Sequence, residues 1–422
     1  MKITIKNALT LTPQGAGEHT VYIDGDAIAV LDAPPADFKA DRVIDGAGKL
    51  LTPGLINAHT HVYMTAMRNR ADDLPLMSWL NDRVWPMEDS LTEEDGYWGT
   101  LLGIMELLLG GATAFLDMDI FSEATARALA DSAFRGGVSK GLTDISGWDG
   151  GLERLEIAQR EIEKYKHLPN VEFFLAPHAP YTCSEKYLTL IAERANDLGV
   201  GIHTHLSESL DEQETALKQY GLTPAQLYDR CGLLTEKTVC AHCVFLSDED
   251  IALLAARGVS VAHNPASNMK LANGFAPVSK MLDAGINVAL GTDGCCSNNN
   301  QNMLREMTLA ALIGKGTAQD ATVLPAAKVF NMATKNGARA LGATGLTGEI
   351  TVGSKADLAL FPLDFPGFFP LGDPLSALCY AGAGLRAETV LVGGKILLDK
   401  GEFTTIDADK VFYNVRKTNE KF

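Results

Sequence analysis

Residues 53–61 read PGLINAHTH, and this stretch decides how the rest of the chain is interpreted. Side chains alternate along an extended strand, so His59 and His61 point to the same face. Neutral imidazoles are good ligands for zinc and iron. The pair therefore predicts either the start of a metal site or two partly buried histidines at the end of a strand, and other parts of the chain must decide between them.

Size and composition narrow the class of protein. The chain has 422 residues, of which 46% are apolar and 21% charged, as in globular proteins that can hold more than one domain. The net charge of −17 argues against a nucleic-acid partner, which would need basic patches. The first residues, MKITIK, alternate like a strand and lack the apolar region of a signal peptide.

Neither the apolar runs nor the cysteines indicate a membrane or an oxidising compartment. The most apolar helix-like run, Leu101–Leu109, carries Glu106 and is too short to span a bilayer. The seven cysteines are an odd number scattered through a large chain. This usage is typical of reduced thiols, so we expect a cytoplasmic protein without a membrane partner.

Short strand patterns separated by turns occupy both ends of the chain. They fall at residues 3–5, 21–23, 27–30 and 42–44, and the pattern returns in KADLALF (355–361) and VLVGGKILL (390–398). Neither end has enough strands to be stable alone. We therefore expect one small β-sandwich domain built from residues 1–53 plus 346–422.

Between these ends, apolar strands alternate with helix-compatible segments. The strand candidates are Gly54–Asn57, Ala112–Leu116, Gly136–Leu142, Val171–Ala176, Val200–Thr204, Thr238–Ala241, Val259–Ala262 and Asn287–Gly291. Eight βα units over roughly 250 residues are typical of a TIM barrel. The predicted fold class is α/β, with a (β/α)8 TIM-like barrel over residues 54–345 as the catalytic domain.

Histidines and acids cluster where these strands end. The histidines at or near the carboxyl end of a predicted strand are His59, His61, His178, His203, His205, His242 and His263. That end of a βα barrel is where active sites are built. Glu208 follows His205 by three residues, a spacing that suits a proton shuttle beside a metal-bound water. Asp293, after strand eight, is a natural fourth ligand that can also accept a proton. His242, after strand six, is placed to hold the water or polarise a substrate.

Each of these residues also has a purely structural interpretation. Asp293 could cap the next helix, and Glu208 could be a surface acid. His203 shares a face with His205 and fits a core histidine one layer deeper, while His263 fits a loop-organising role. Their common order along eight strands nevertheless favours a catalytic site with one metal ion and room for a water.

Several motifs resemble those of the amidohydrolase superfamily, and more narrowly the 5-methylthioadenosine/S-adenosylhomocysteine deaminases and their chlorohydrolase relatives. They are PGLINAHTH (53–61), HLSES (205–209), AHCV (241–244), HNPASNMKLANG (263–274) and GTDG (291–294). The resemblance covers nearly the whole chain and implies a homo-oligomer. It also implies one divalent metal, zinc first and iron as the alternative, held by His59, His61, His205 and Asp293.

The resemblance further implies hydrolytic deamination at purine C6 of 5′-methylthioadenosine, S-adenosylhomocysteine or adenosine, giving the inosine product and ammonia. In this scheme Asp293 takes a proton from the activated water, His242 orients that water, and Glu208 protonates N1 of the ring. The alternative is a deaminase or chlorohydrolase acting on guanine, 8-oxoguanine, cytosine or an s-triazine. A metal-binding scaffold without catalysis is disfavoured, because both Glu208 and His242 are present.

Substrate contacts follow from the same resemblance. Glu88, beside Trp85, matches a family acid that binds ribose hydroxyls, with a surface helix acid as its structural alternative. His178 matches a substrate-contacting histidine. Where the family commonly has an arginine for a substrate carboxylate, this chain has Lys140, which keeps the charge but loses the bidentate fork. Arg154 is a second candidate cation. Lysine in place of arginine favours methylthioadenosine or adenosine, which lack that carboxylate, over S-adenosylhomocysteine.

Overall fold

The computed structural model describes residues 1–343 and 345–422. Its strands are β1 Lys2–Thr12, β2 Gly15–Asp24, β3 Ala27–Leu31, β4 Arg42–Asp45, β5 Lys49–Pro53, β6 Leu55–Thr60, β7 Ala112–Asp117, β8 Arg135–Leu142, β9 Val171–Pro177, β10 Gly201–Leu206, β11 Thr238–His242, β12 Ser260–His263, β13 Asn287–Leu290, β14 Leu358–Pro362, β15 Thr389–Val392, β16 Lys395–Asp399 and β17 Glu402–Phe403. Its α-helices are α1 Leu76–Trp79, α2 Trp85–Glu88, α3 Glu93–Leu109, α4 Ser122–Ser132, α5 Trp148–Tyr165, α6 Glu185–Leu198, α7 Leu210–Tyr220, α8 Pro224–Arg230, α9 Asp248–Arg257, α10 Pro265–Lys270, α11 Val278–Asp283, α12 Met303–Ala318, α13 Ala326–Met332, α14 Lys335–Ala340, α15 Pro374–Ala381 and α16 Ala408–Asn419.

Strands β6 to β13 form one parallel sheet in chain order, with helices in the connections between them. These strands are almost wholly buried, as expected when helices cover one face and side chains fill the other. The sheet closes into a barrel just after β13, where the amides of Thr292 and Asp293 donate to the carbonyl of His59 at 3.1 and 3.0 Å. The predicted barrel and its eight strands are confirmed.

The strands of the two chain ends form a single mixed sheet in the order β17-β16-β15-β14-β5-β1-β2-β3, with β4 also paired to β1. Strands β5 and β14 join the two ends by antiparallel pairing, with Pro53 opposite Leu358. Side chains from both ends, including Ile3, Leu51 and Leu391, share one apolar core. The small β domain built from both ends is therefore confirmed, as one continuous sheet.

The β pattern at residues 390–398 corresponds to two strands, β15 and β16, that form a hairpin. The chain reverses at Gly393 and Gly394, whose φ angles are 53° and 70°. Two positive φ values at the centre of a two-residue turn match the twist of a hairpin and favour glycine.

A short helical cover lies over the carboxyl end of the barrel. It consists of α1, a π-helical turn at Leu80–Val84, and α2. Within this cover Leu76, Trp79 and Leu80 are buried, and the indole N–H of Trp79 donates to the carbonyl of Cys296 at 3.2 Å. Among the helices that the structure describes, none is long and apolar enough to cross a membrane.

Candidate active site

The structure brings together the four predicted metal ligands at the carboxyl end of the barrel. Nε2 of His59 and Nε2 of His61, both at the end of β6, each lie 3.3 Å from Oδ1 of Asp293. Nε2 of His205, on β10, lies 3.3 Å from Nε2 of His61. The donor atoms therefore face a common point, and the set of three imidazoles and one carboxylate fits a catalytic zinc-type site with one position left for water.

Hydrogen bonds on the far side of each ring determine which nitrogen faces that point. His61 and His205 each place Nδ1 2.7 Å from a backbone carbonyl, and Nδ1 of His59 lies 2.8 Å from Nε2 of His203. Donation from Nδ1 leaves the lone pair on Nε2, the form that binds a metal ion. Nε2 of His59 is buried without a hydrogen-bond partner among the described residues. A divalent ion would satisfy it.

Burial also keeps the ligand rings neutral. It lowers the pKa of His59 to about 4 and lowers the pKa of both His61 and His205 from the usual histidine value. A neutral imidazole is the metal-binding form, so the site is preorganised for an ion before one arrives.

Asp293 is held in one orientation by two hydroxyl groups. Ser267 and Ser297 donate to Oδ2 at 2.6 and 2.8 Å, which leaves Oδ1 facing the histidines. The residue has a φ of 62°, an uncommon left-handed conformation that neighbouring contacts must maintain. The next helix, α12, begins only at Met303, so Asp293 does not cap it.

His242 and Glu208 face the ligand set from β11 and the end of β10. Nδ1 of His242 donates to Oδ1 of Asn268 at 2.8 Å, and its Nε2 lies 3.9 Å from both Oε2 of Glu208 and Oδ2 of Asp293. Asn273 donates to Oε1 of Glu208 at 2.9 Å. Glu208 is only 4% exposed, so it is not a surface acid, and burial raises the pKa of its carboxyl. A raised pKa suits a group that must give up a proton near neutral pH.

A cavity of about 550 Å³ extends from these groups to the helical cover. Its volume is typical of small-molecule sites. Its apolar wall includes Leu76, Trp79, Leu80, Val84, Trp85 and Leu271, and its polar wall includes Glu88, Asp119, Thr143, Arg154 and His178. Burial lowers the pKa of His178 to about 3, so its ring is neutral. The cavity can therefore hold a mostly apolar ring system and contact it at a few polar positions.

Glu88 lines the cavity from the helical cover, and its Oε1 accepts a hydrogen bond from the hydroxyl of Tyr63. Burial raises the pKa of Glu88 to about 7. Its side chain is half-buried and lines the cavity, so the carboxyl group can hydrogen-bond a ligand there.

Lys140 requires a correction, because it lies on the outer face of β8. Its Nζ donates to the carbonyl of Ile120 at 2.9 Å and lies 3.4 Å from Oε1 of Glu161 on α5. Within the described chain it is not part of the cavity wall, whereas Arg154 is. Side chains alternate along β8, and Ser139 is the neighbour that points inward, to Nδ1 of His203 at 3.2 Å. The geometry therefore replaces Lys140 with Arg154 as the cation facing the cavity.

Sequence reasoning missed the residues that support the predicted catalytic groups. Ser267, Asn268 and Asn273 all lie within the motif HNPASNMKLANG. The motif indicated that this segment belongs to the site, but not which groups these side chains contact. Tyr63 had no such signal. It lies beyond the end of β6, in the 3-10 turn Val62–Met67, where strand alternation no longer predicts direction.

The fold and site together define a (β/α)8 barrel with three histidines and an aspartate that can hold a metal ion, and with an adjacent acid. The family model described as the amidohydrolase family matches residues 50–397. A 5-methylthioadenosine/S-adenosylhomocysteine deaminase of Thermoanaerobacter pseudethanolicus is 43% identical, covering 99% of this chain and 98% of the relative. The chain therefore belongs to the amidohydrolase family.

Solved structures agree with this assignment. An adenosine deaminase from Xanthomonas campestris with bound zinc has a TM-score of 0.94 at 34% identity, covering 99% of this chain and 98% of that one. An atrazine chlorohydrolase from Arthrobacter aurescens complexed with zinc has a TM-score of 0.90 at 26% identity, covering 99% of both chains. Both similarities extend over the barrel and the terminal sheet.

Proposed function

We propose that the chain hydrolytically deaminates 5′-modified adenosines at purine C6, with 5′-methylthioadenosine, S-adenosylhomocysteine and adenosine as the substrate class. The observation that carries this proposal is the pairing of two acids in one cavity. Glu208 lies beside the proposed metal ligands, and Glu88 lines the part of the cavity wall formed by the helical cover. The first suits proton transfer to a ring, and the second suits recognition of a sugar. The name of the 43% identical relative supports the same substrate class.

We propose zinc, rather than iron, as the ion held by His59, His61, His205 and Asp293. The imidazole and carboxylate donors suit zinc, and the zinc named with two solved relatives supports this choice. When bound, such an ion lowers the pKa of its water to about 7 and polarises the substrate.

The protein side chains would then manage the protons. Asp293 accepts a proton from the attacking water and passes it to the leaving amino group. Glu208 donates its proton to ring N1 as C6 becomes tetrahedral, and recovers one from the new hydroxyl at C6. His242, 3.9 Å from both acids, orients the water between them. Adenosine and water thus become inosine and ammonia with all protons accounted for.

Glu88 favours a nucleoside over the alternative ring substrates. A carboxylate accepts hydrogen bonds from two adjacent hydroxyl groups, which a ribose has and guanine, cytosine or an s-triazine lacks. We propose that Trp85 and His178, which also line the cavity, contact the same substrate. Glu88 is the residue whose presence separates the leading proposal from a chlorohydrolase or base deaminase.

The test is to purify the protein, measure its bound metal by mass spectrometry, and follow ultraviolet absorbance with a panel of substrates. The panel contains methylthioadenosine, S-adenosylhomocysteine, adenosine, 5′-deoxyadenosine, guanine and cytosine. We expect absorbance changes with the adenosines only. No change with any adenosine would rule out the proposal, and turnover of guanine or cytosine alone would support the alternative.

We also propose a cytoplasmic homo-oligomer whose ligand is a small nucleoside and not a nucleic acid. The seven cysteines, all among the described residues, are unpaired and buried, as suits a reducing compartment. The net charge of −17 disfavours nucleic acid, and the family resemblance favours assembly. Light scattering coupled to size-exclusion chromatography would detect a monomer and so contradict the assembly.

A further inference from the structure

Tyr63 is fixed to the frame of the barrel next to the metal ligands. It follows His61 by two residues, in a turn begun by a hydrogen bond from Met64 N to His61 O at 3.0 Å. Its ring is 1% exposed and packs edge-on against Phe121, with ring centroids 5.7 Å apart. Helix α3 packs directly on its backbone, because a Cβ atom at Gly99 would lie 2.4 Å from the Tyr63 carbonyl oxygen. Tyr63 therefore has little freedom to move.

Glu88, in contrast, lies at the end of the four-residue helix α2 in the cover. Among the described residues, Tyr63 is the one side chain that donates a hydrogen bond to its carboxylate, at Oε1. Oε2 stays available to the cavity. A flexible glutamate on a short helix would otherwise sample several rotamers, and fixing it beforehand reduces the entropy that ligand binding must remove.

We propose that Tyr63 is a positioning residue that fixes the Glu88 carboxylate for the sugar hydroxyls of the substrate. The inference rests on the proposed nucleoside activity. Because Tyr63 belongs to the same segment as His61, it sets the distance between the group that holds the sugar and the centre where C6 reacts. Burial raises the Glu88 pKa, whereas the hydrogen bond from the Tyr63 hydroxyl lowers it. Tyr63 therefore stabilises the ionised carboxylate, which is the form that accepts hydrogen bonds from two hydroxyl groups.

The test compares Tyr63→Phe with the wild type on two substrates, methylthioadenosine and 2′,3′-dideoxyadenosine. We expect KM for methylthioadenosine to rise roughly tenfold, the loss typical of one hydrogen bond to a charged group, with kcat nearly unchanged. The dideoxy substrate offers no hydroxyl pair to Glu88, so its kinetics should not change. Bound metal should match the wild type.

Tyr187→Phe is the matched control. It also removes a buried tyrosine hydroxyl, which donates to the carbonyl of Gly151 at 2.6 Å outside the cavity wall. Both substrates should behave normally in this variant. An equal loss on both substrates in Tyr63→Phe would mean that the hydroxyl only supports the fold, and an unchanged KM would mean that it does not act on Glu88. Either result overturns the inference.

A double-mutant cycle gives a second, independent test. Glu88→Gln should show the same selective loss on methylthioadenosine, and adding Tyr63→Phe to it should cost little more, because the two groups act as one unit. Additive losses would contradict the inference. A wild type that deaminates no adenosine would instead refute the proposed function, so the two failures are distinguishable.

Discussion

Nδ1 of His59 lies 2.8 Å from Nε2 of His203, so a buried histidine outside the described cavity wall orients a proposed metal ligand from behind. His203 is held in turn by the hydroxyl of Ser139, which donates to the carbonyl of Asp117 at 2.5 Å. This series of hydrogen bonds fixes the tautomer in which the Nε2 lone pair of His59 faces the metal position.

Replacing His203 should therefore weaken metal binding without removing any ligand. We expect His203→Leu to lower metal affinity by roughly 10- to 100-fold, the usual effect of losing an outer partner of a ligand histidine. Competition with a chelator would measure the affinity, and circular dichroism would verify the fold. His167→Leu, at an exposed position, is the control. Unchanged affinity in His203→Leu would mean that the hydrogen bond does not tune His59.

Glu208→Gln should abolish proton transfer while leaving the metal bound. Glutamine keeps the volume and can still accept from Asn273, but it has no acidic proton for the ring. We expect kcat to fall by about 10²- to 10⁴-fold. Glu214→Gln, an exposed acid on the same segment, should behave as the wild type. Near-normal turnover by Glu208→Gln would show that another group carries the proton.

Arg154→Met and Lys140→Met should affect substrate choice differently. Arg154 lines the cavity, so its loss should raise KM for S-adenosylhomocysteine roughly tenfold or more relative to methylthioadenosine, which has no carboxylate. Lys140 is paired with Glu161 outside the cavity, so its loss should leave that ratio unchanged. A shifted ratio in Lys140→Met alone would contradict the position of the two cations.

The difference between these two cations shows what the sequence could and could not predict. The eight apolar strands and the histidines at their ends are visible as local sequence patterns, so the barrel and the clustering of the four proposed metal ligands were predictable. The direction of Lys140 depends on which neighbour points inward. Ser139 does so by contacting His203, and the contact joins residues 64 positions apart. No local pattern contains that information. Once Ser139 is known to face the barrel interior, the alternation of side chains along β8 places Lys140 on the outside.

Supporting residues were unpredictable for a related reason. Tyr63 and Ser267 act through single hydrogen bonds to a partner on another segment of the chain. Their roles are set by the packing of the cover and loops on the barrel rather than by periodicity. Glu88 was identified only through its family resemblance, and its contact with Tyr63 appeared only in three dimensions.

The pH dependence of sugar recognition should follow Glu88. Burial raises its pKa from 4.5 to about 7, so the carboxylate gains its charge as the pH rises through that value. The ratio of kcat/KM for methylthioadenosine to that for 2′,3′-dideoxyadenosine should therefore rise as the pH increases through about 7 and level off above it. Taking this ratio removes any pH dependence of kcat/KM that is common to the two substrates. Glu88→Gln should give a flat ratio, and a flat ratio in the wild type between about pH 5.5 and about pH 8.5 would exclude this role.

A buried ion pair between the barrel and the terminal sheet should matter for stability and not for catalysis. Nε of Arg135, on β8, lies 2.8 Å from Oδ2 of Asp357, whose Oδ1 accepts from the amide of Gly393 at 2.6 Å. The side chains of the pair are 11% and 0% exposed. Asp357→Asn keeps the volume but leaves the Arg135 charge buried without a counterion. We expect the free energy of unfolding, measured by urea denaturation of the metal-loaded protein, to fall by about 3 kcal/mol.

Arg42→Ala provides the comparison, because it breaks an ion pair of the same length, 2.8 Å to Asp399, whose side chains are 45% and 31% exposed. Solvent screens such a pair, so its loss should cost no more than about 1 kcal/mol. Neither variant touches the cavity, and both should keep the kcat of the wild type. Equal losses of stability in the two variants would mean that burial does not strengthen the Arg135–Asp357 pair, and that apolar packing alone holds the sheet to the barrel.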